Sequence, residues 1–196
     1  MRRRHAVLWL CLSLALDAAA GDWGLDSLMR TLAQHKSGKA AFTEKKFIAL
    51  LDKPVESSGE LVYVAPDHLE KNTFKPIPEF MVLDHGILNI ESEGQKHTLP
   101  LGEYPEIAAF IDSIRATLAG DRTALERTYH LFLGGSSAHW TLVLLPYAPD
   151  MAALISRINI AGEDGLVRSI EIVQADGDRS VMGISQVETP PVEHTR

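Results

Sequence analysis

The chain has 196 residues, is 45% hydrophobic and 23% charged, and carries 19 basic against 26 acidic residues, a formal net charge of −7. An acidic chain without a long basic run makes nucleic acid and anionic membrane surfaces poor partners. Its one cysteine, Cys11, excludes a disulfide framework.

The first twenty residues read apart from the rest. "MRRRHAVLWLCLSLALDAAAG" sets three arginines before an apolar run from Ala6 to Leu16, and Ala18-Ala19-Ala20 offers an A-x-A cleavage site. That is the layout of a secretory signal peptide. The run falls short of the roughly 20 apolar residues that span a bilayer. Cys11 has Leu10 before it and Leu12 after it, which does not fit lipid anchoring at a lipoprotein signal. The expected organisation is a signal peptide at 1–20, one domain at 21–187 and a disordered tail at 188–196. Cleavage would leave 16 basic and 25 acidic residues, a net charge of −9. N-terminal sequencing of the exported protein is expected to start at Gly21. A start at Met1, or a lipid on Cys11, would refute cleavage after Ala20.

From Asp22 to Gln34, Trp23, Leu25, Leu28, Met29 and Leu32 recur at helical spacing, with Asp22 as the expected N-cap. Six strands are expected next, near 40–51, 58–65, 68–75, 79–84, 87–92 and 95–101. Asp84-His85-Gly86 and Glu93-Gly94 give tight-hairpin signals. The period then changes. Ile107, Phe110, Ile111, Ile114 and Leu118 form one helical stripe, with Pro105 in the first turn and Gly120 at the end. Asp121 caps a short helix through Leu125. Five more strands follow, near 128–134, 138–145, 154–161, 166–174 and 179–187. Eleven strands and three helices make a mainly antiparallel β protein with α.

Several strands carry more apolar surface than one buried face requires. Glu60 to Ala65, Phe80 to Leu83 and Leu142 to Leu145 are apolar on both faces. Others alternate, as Leu88 and Ile90 do against Asn89 and Glu91. One sheet face is therefore aliphatic along most of its length, and the helical stripes can cover it.

Recognisable chemistry is missing. His68, His85, His97, His130 and His139 are dispersed, without metal-ligand spacing. Ser136 and Ser137 in "GGSSAH" lack a G-x-S-x-G elbow and fit a hairpin loop. Gly38-Lys39 lacks the phosphate-loop spacing, and "ADGDRS" lacks the twelve-residue calcium pattern. Neither an enzyme, a cofactor nor a metal is expected.

The element order, a short helix, six strands, a long helix, a short helix and five strands, resembles that of the periplasmic lipoprotein carrier LolA and its relatives. "AAFTEKKF", "SSGELVYVAPDHLEK", "VLDHGILNI" and "RSIEIVQADGDRSVMGI" resemble family stretches in the same order, and the likeness covers roughly 24–185. The resemblance implies an incomplete, half-open β-barrel covered by helices. It also implies an apolar interior for the acyl chains of lipoproteins or a related lipid. Loading and receiving partners would sit at membranes. Family carriers have an arginine before the proline of the second stretch, where it helps to close the lid; here Ala65 precedes Pro66.

On this reading the chain is a periplasmic, monomeric lipid-binding carrier. Strand parity nominates its lining. With Glu60 facing water, Leu61, Tyr63 and Ala65 face in. By the same parity so do Phe80 and Val82, Leu88 and Ile90, Trp140, Leu142 and Leu144, Ile158, Ile170 and Ile172. Ile107, Phe110, Ile111 and Ile114 form the lid side. The alternative is an exported β-domain that docks a protein through a sheet edge or apolar patch. A hydrolase acting on apolar substrates is a further one.

Overall fold

The structure, a computed structural model, describes residues 23–186. The expected signal peptide and tail lie outside the described residues. Eleven strands form one antiparallel sheet: β1 (Ser37–Phe47), β2 (Val55–Val64), β3 (His68–Lys75), β4 (Glu79–Asp84), β5 (Ile87–Ser92), β6 (Gln95–Pro100), β7 (Tyr129–Gly135), β8 (Trp140–Pro146), β9 (Ile155–Glu163), β10 (Leu166–Gln174) and β11 (Arg179–Gln186). Their order is β6-β5-β4-β3-β2-β1-β11-β10-β9-β8-β7, so β6 and β7 are free edges and the barrel stays open. Four helices accompany the sheet: α1 (Leu25–Leu32), α2 (Pro105–Ala119), α3 (Arg122–Leu125) and α4 (Pro149–Ala152). The segment carrying α2 and α3 connects the two edge strands.

Local chemistry explains the boundaries. His85-Gly86 and Glu93-Gly94 take positive φ at both positions (48° and 76°, 51° and 78°), the backbone a two-residue type I′ hairpin needs. Pro105 opens α2 and Gly120 closes it in the left-handed region at φ 68°. The Asp121 carboxylate accepts the Ala124 N–H at 2.9 Å and caps α3. The N-cap of α1 is Gly24, without a side-chain bond; Asp22, the expected cap, lies outside the described residues. The first strand starts at Ser37 and ends at Phe47, because Ile48 to Leu51 turn back on themselves (Leu51 N–H to Ile48 carbonyl, 2.9 Å). The single turn α4 has no sequence-stripe counterpart, since four residues are too few to show a period.

The inner face of the sheet is filled in two different ways. At β7, β8 and β9 it is packed solid. Trp140, Leu142, Leu144, Ile158 and Ile160 are at most 2% exposed and meet Leu28, Met29 and Leu32 of α1 and Leu125 of α3. Each such side chain contributes roughly 1.5–3 kcal/mol by leaving water. A smaller cluster of Leu83, Leu88 and Leu101 packs under Ala108 and Ile111 of α2. The outer face is laced with ion pairs, Lys39–Glu60 at 2.8 Å and Lys45–Glu56 at 2.9 Å among them. The second apolar face of the Leu61–Ala65 stretch has no full cover: Val64 is 44% exposed.

Candidate functional site

Between β1–β5, β10, β11 and α2 lies a cavity of about 380 Å³, within the range of small-molecule sites. Register explains its lining. Leu61 pairs with Lys71, Lys71 with Met81, and Met81 with Ile90, which places all four on one face. One row further on, Tyr63, Leu69, Leu83 and Leu88 share that face. On the other side, Ile170 pairs with Met182 and Ile172 with Ser180. Phe110, Ile111, Ile114 and Leu118 of α2 close the space from above.

A polar cluster interrupts this mainly aliphatic surface, which His35, Arg168 and Gln186 also border. Glu44 is 4% exposed and shares its strand face with Phe42. Its Oε2 accepts from Lys71 Nζ at 2.8 Å and from the Ser57 hydroxyl at 3.3 Å. Its Oε1 accepts from the Ser180 hydroxyl at 2.6 Å. Burial pushes the Glu44 carboxyl up. The bonds from Lys71 and Ser180, with the charges of Lys71 and Lys46, outweigh that and hold it below the usual carboxylate range. The Lys71 ammonium also sits 5.1 Å from the centre of the Phe42 ring. Nearby, Tyr63 is 8% exposed, and its buried hydroxyl has no hydrogen-bond partner among the described residues. Burial raises its pKa.

Of the expected lining residues, Leu61, Tyr63, Leu88, Phe110, Ile111, Ile114, Ile170 and Ile172 border the cavity. Ile90 packs against the smaller core cluster. Trp140, Leu142, Leu144 and Ile158 face inward but belong to the solid core and not to the cavity. Phe80 and Val82 point outward: Met81 and Leu83 take the inner positions, and Phe80 is 42% exposed. Parity failed on this strand because it is apolar on both faces and its polar ends, Glu79 and Asp84, fall on opposite ones. Ile107 is 39% exposed and turned away from the cavity. Ala65 lies past the end of β2, its N–H bonded to the Lys36 carbonyl at 2.8 Å, and does not line the cavity.

Sequence parity missed Glu44, Lys71, Ser180 and Met182. The phase of Phe42 was the available signal for Glu44, two residues on. Outside the cavity, Asp67, Asp84 and His85 bring ligand atoms within 4.8 Å of one another. Asp84 is already engaged there, by His68 at 3.3 Å and His85 at 3.0 Å. Ser136 closes the β7–β8 turn, its N–H on the His139 carbonyl.

Several solved structures are similar to this chain. A LolA superfamily protein of Nitrosomonas europaea is 9% identical, with a TM-score of 0.42, over 88% of this chain and 97% of that one. A DUF1329 family protein of Desulfovibrio piger is 10% identical, with a TM-score of 0.46, over 82% and 88%. MucB, solved in complex with MucA of Pseudomonas aeruginosa, is 14% identical, with a TM-score of 0.38, over 83% of this chain and 56% of that one. No curated protein matches the chain. The model of the family described as outer membrane lipoprotein carrier protein LolA-like matches residues 17–188. An open eleven-stranded sheet with a helix across an aliphatic cavity is now joined by a family match over nearly the whole chain, and the chain belongs to the LolA-like family.

Proposed function

We propose that the protein is a non-enzymatic, exported carrier that takes lipid acyl chains into the cavity under α2 and moves them through the periplasm. The cargo would be the acyl chains of lipoproteins or a related lipid, exchanged with loading and receiving proteins at membranes. The observation that carries this reading is the half-open, mainly aliphatic space between α2 and the sheet, in a chain of the LolA-like family. Burial of apolar area, about 25 cal/mol per Å² removed from water, would drive binding. Leu61, Leu88, Ile170 and Ile172 would form the floor, and Phe110, Ile111 and Ile114 the lid.

The test is binding of an uncharged apolar dye, N-phenyl-1-naphthylamine, to protein purified without detergent. A Kd of about 1 μM, or −8.2 kcal/mol, is expected. Phe110→Asp sets a charge on the lid and is expected to weaken binding at least tenfold in a variant whose circular dichroism matches the parent. Unchanged affinity in the folded variant would refute the lid assignment, and no binding to the parent would refute the carrier reading.

A further inference from the structure

We propose that Lys71, held in place by Glu44, is a specificity-determining residue that takes an uncharged oxygen acceptor of the bound lipid, the carbonyl of an acyl ester or amide. The inference rests on the carrier reading and deepens it by naming the ligand chemistry. Both Glu44 oxygens are engaged: Lys71 and Ser57 meet one and Ser180 the other. Lys71 is not fully engaged. An ammonium has three N–H donors, and among the described residues Glu44 is the only acceptor that Lys71 meets. Both side chains border the cavity, that of Lys71 24% exposed and that of Glu44 5%. The cavity thus meets an ion pair whose carboxylate oxygens both already accept hydrogen bonds and whose ammonium keeps donors to spare.

The charge of the preferred acceptor follows from the same geometry. Glu44 already neutralises Lys71. A second carboxylate on the ammonium would lie within a few ångströms of Glu44 in apolar surroundings, where like charges repel strongly. An ester or amide carbonyl accepts the same N–H without that penalty. A purely hydrocarbon cargo would leave the spare Lys71 donors unanswered, which is costly for polar groups taken out of water.

The test compares two lipids that differ only in the carbonyl: 1-palmitoylglycerol, an ester, and 1-O-hexadecylglycerol, its ether. Each displaces N-phenyl-1-naphthylamine from the full chain and from the double variant Glu44→Gln/Lys71→Met, which removes both charges and strands neither. The parent is expected to bind the ester about tenfold more tightly than the ether, equivalent to about 1.4 kcal/mol. The double variant is expected to bind both with the parent's affinity for the ether. Equal affinities in the parent, with dye binding intact, would overturn this inference and leave the carrier reading standing. An ester preference that survives in the double variant would overturn it as well. Should the double variant not fold, the parent's ester-to-ether ratio decides alone. Loss of all binding, dye included, would overturn both readings.

Discussion

Replacing Lys71 with methionine is expected to destabilise the protein by about 3 kcal/mol at neutral pH, with the loss shrinking as the pH falls toward 5. Removing one partner of a buried pair leaves the other charge uncompensated, at a cost of roughly 3–5 kcal/mol. The lower end applies because the Lys71 side chain keeps 24% of its surface in water. In the parent, the Glu44 carboxyl is held below its ordinary range. It contributes stability above the unfolded-state pKa, and that contribution is lost as the pH falls through the folded value. In Lys71→Met the balance reverses. Burial, the largest single influence on Glu44, is then opposed only by the Ser180 bond and the Lys46 charge, and the folded-state pKa is expected to rise above the unfolded one. The folded variant then binds more protons than the unfolded chain, so its stability falls as pH rises and recovers on acidification. Urea unfolding of both proteins at pH 7.5 and pH 5 measures this. An equal loss at both values would mean that Glu44 is not the stranded charge. Adding Glu44→Gln is expected to bring the protein back within about 1 kcal/mol of the parent, since no charge then remains buried alone.

This ion pair also shows where sequence reading stops. The succession of strands along the chain and the tight hairpins were legible because turns declare themselves locally: His85-Gly86 and Glu93-Gly94 need φ values that glycine supplies cheaply. Helix α2 was legible from its stripe and its Pro and Gly ends. Glu44 was not, because "FTEKKF" reads as a solvated strand with charges on both faces, and its partner Lys71 lies 27 residues away. Only register brings Lys71 onto the row of Leu61 and within reach of Glu44. Phe80 and Val82 were misplaced for a related reason. A strand apolar on both faces has no parity of its own and inherits it from its neighbours, here from Lys71 facing Met81. Alternation can tell which residues face inward. It cannot tell whether the space they face is filled, since that depends on helices arriving from elsewhere in the chain. Trp140 and Ile170 both read as inward. One sits beneath α1 in solid packing, the other beneath α2 beside a cavity.

That division predicts a second large effect with a distinct signature: Trp140→Ala is expected to cost about 3–5 kcal/mol of stability while leaving the affinity for apolar dye unchanged. Trp140 is 2% exposed, and its indole N–H donates to the Asp164 carbonyl at 2.9 Å, tying β8 to the β9–β10 turn. Its ring fills the space beside Gly162, where a Cβ would stand 2.2 Å from Cζ2. Truncation therefore removes apolar burial, opens a cavity in a tightly packed region and orphans a carbonyl, three losses that act together. For a domain of this size the unfolding temperature should drop by on the order of 10 °C. Neither Trp140 nor its neighbours Leu142 and Leu144 border the dye site, although Leu32 of the same core cluster does. Phe110→Asp should show the opposite pattern, with a large loss of dye affinity and a smaller loss of stability, because Phe110 is only partly buried. Thermal unfolding and dye titration of both variants separate the two roles. If Trp140→Ala, still folded at the assay temperature, loses dye affinity as Phe110→Asp does, the solid core and the cavity behave as one unit. The packing of α1 on β8 and β9 would then set the shape of the space under α2.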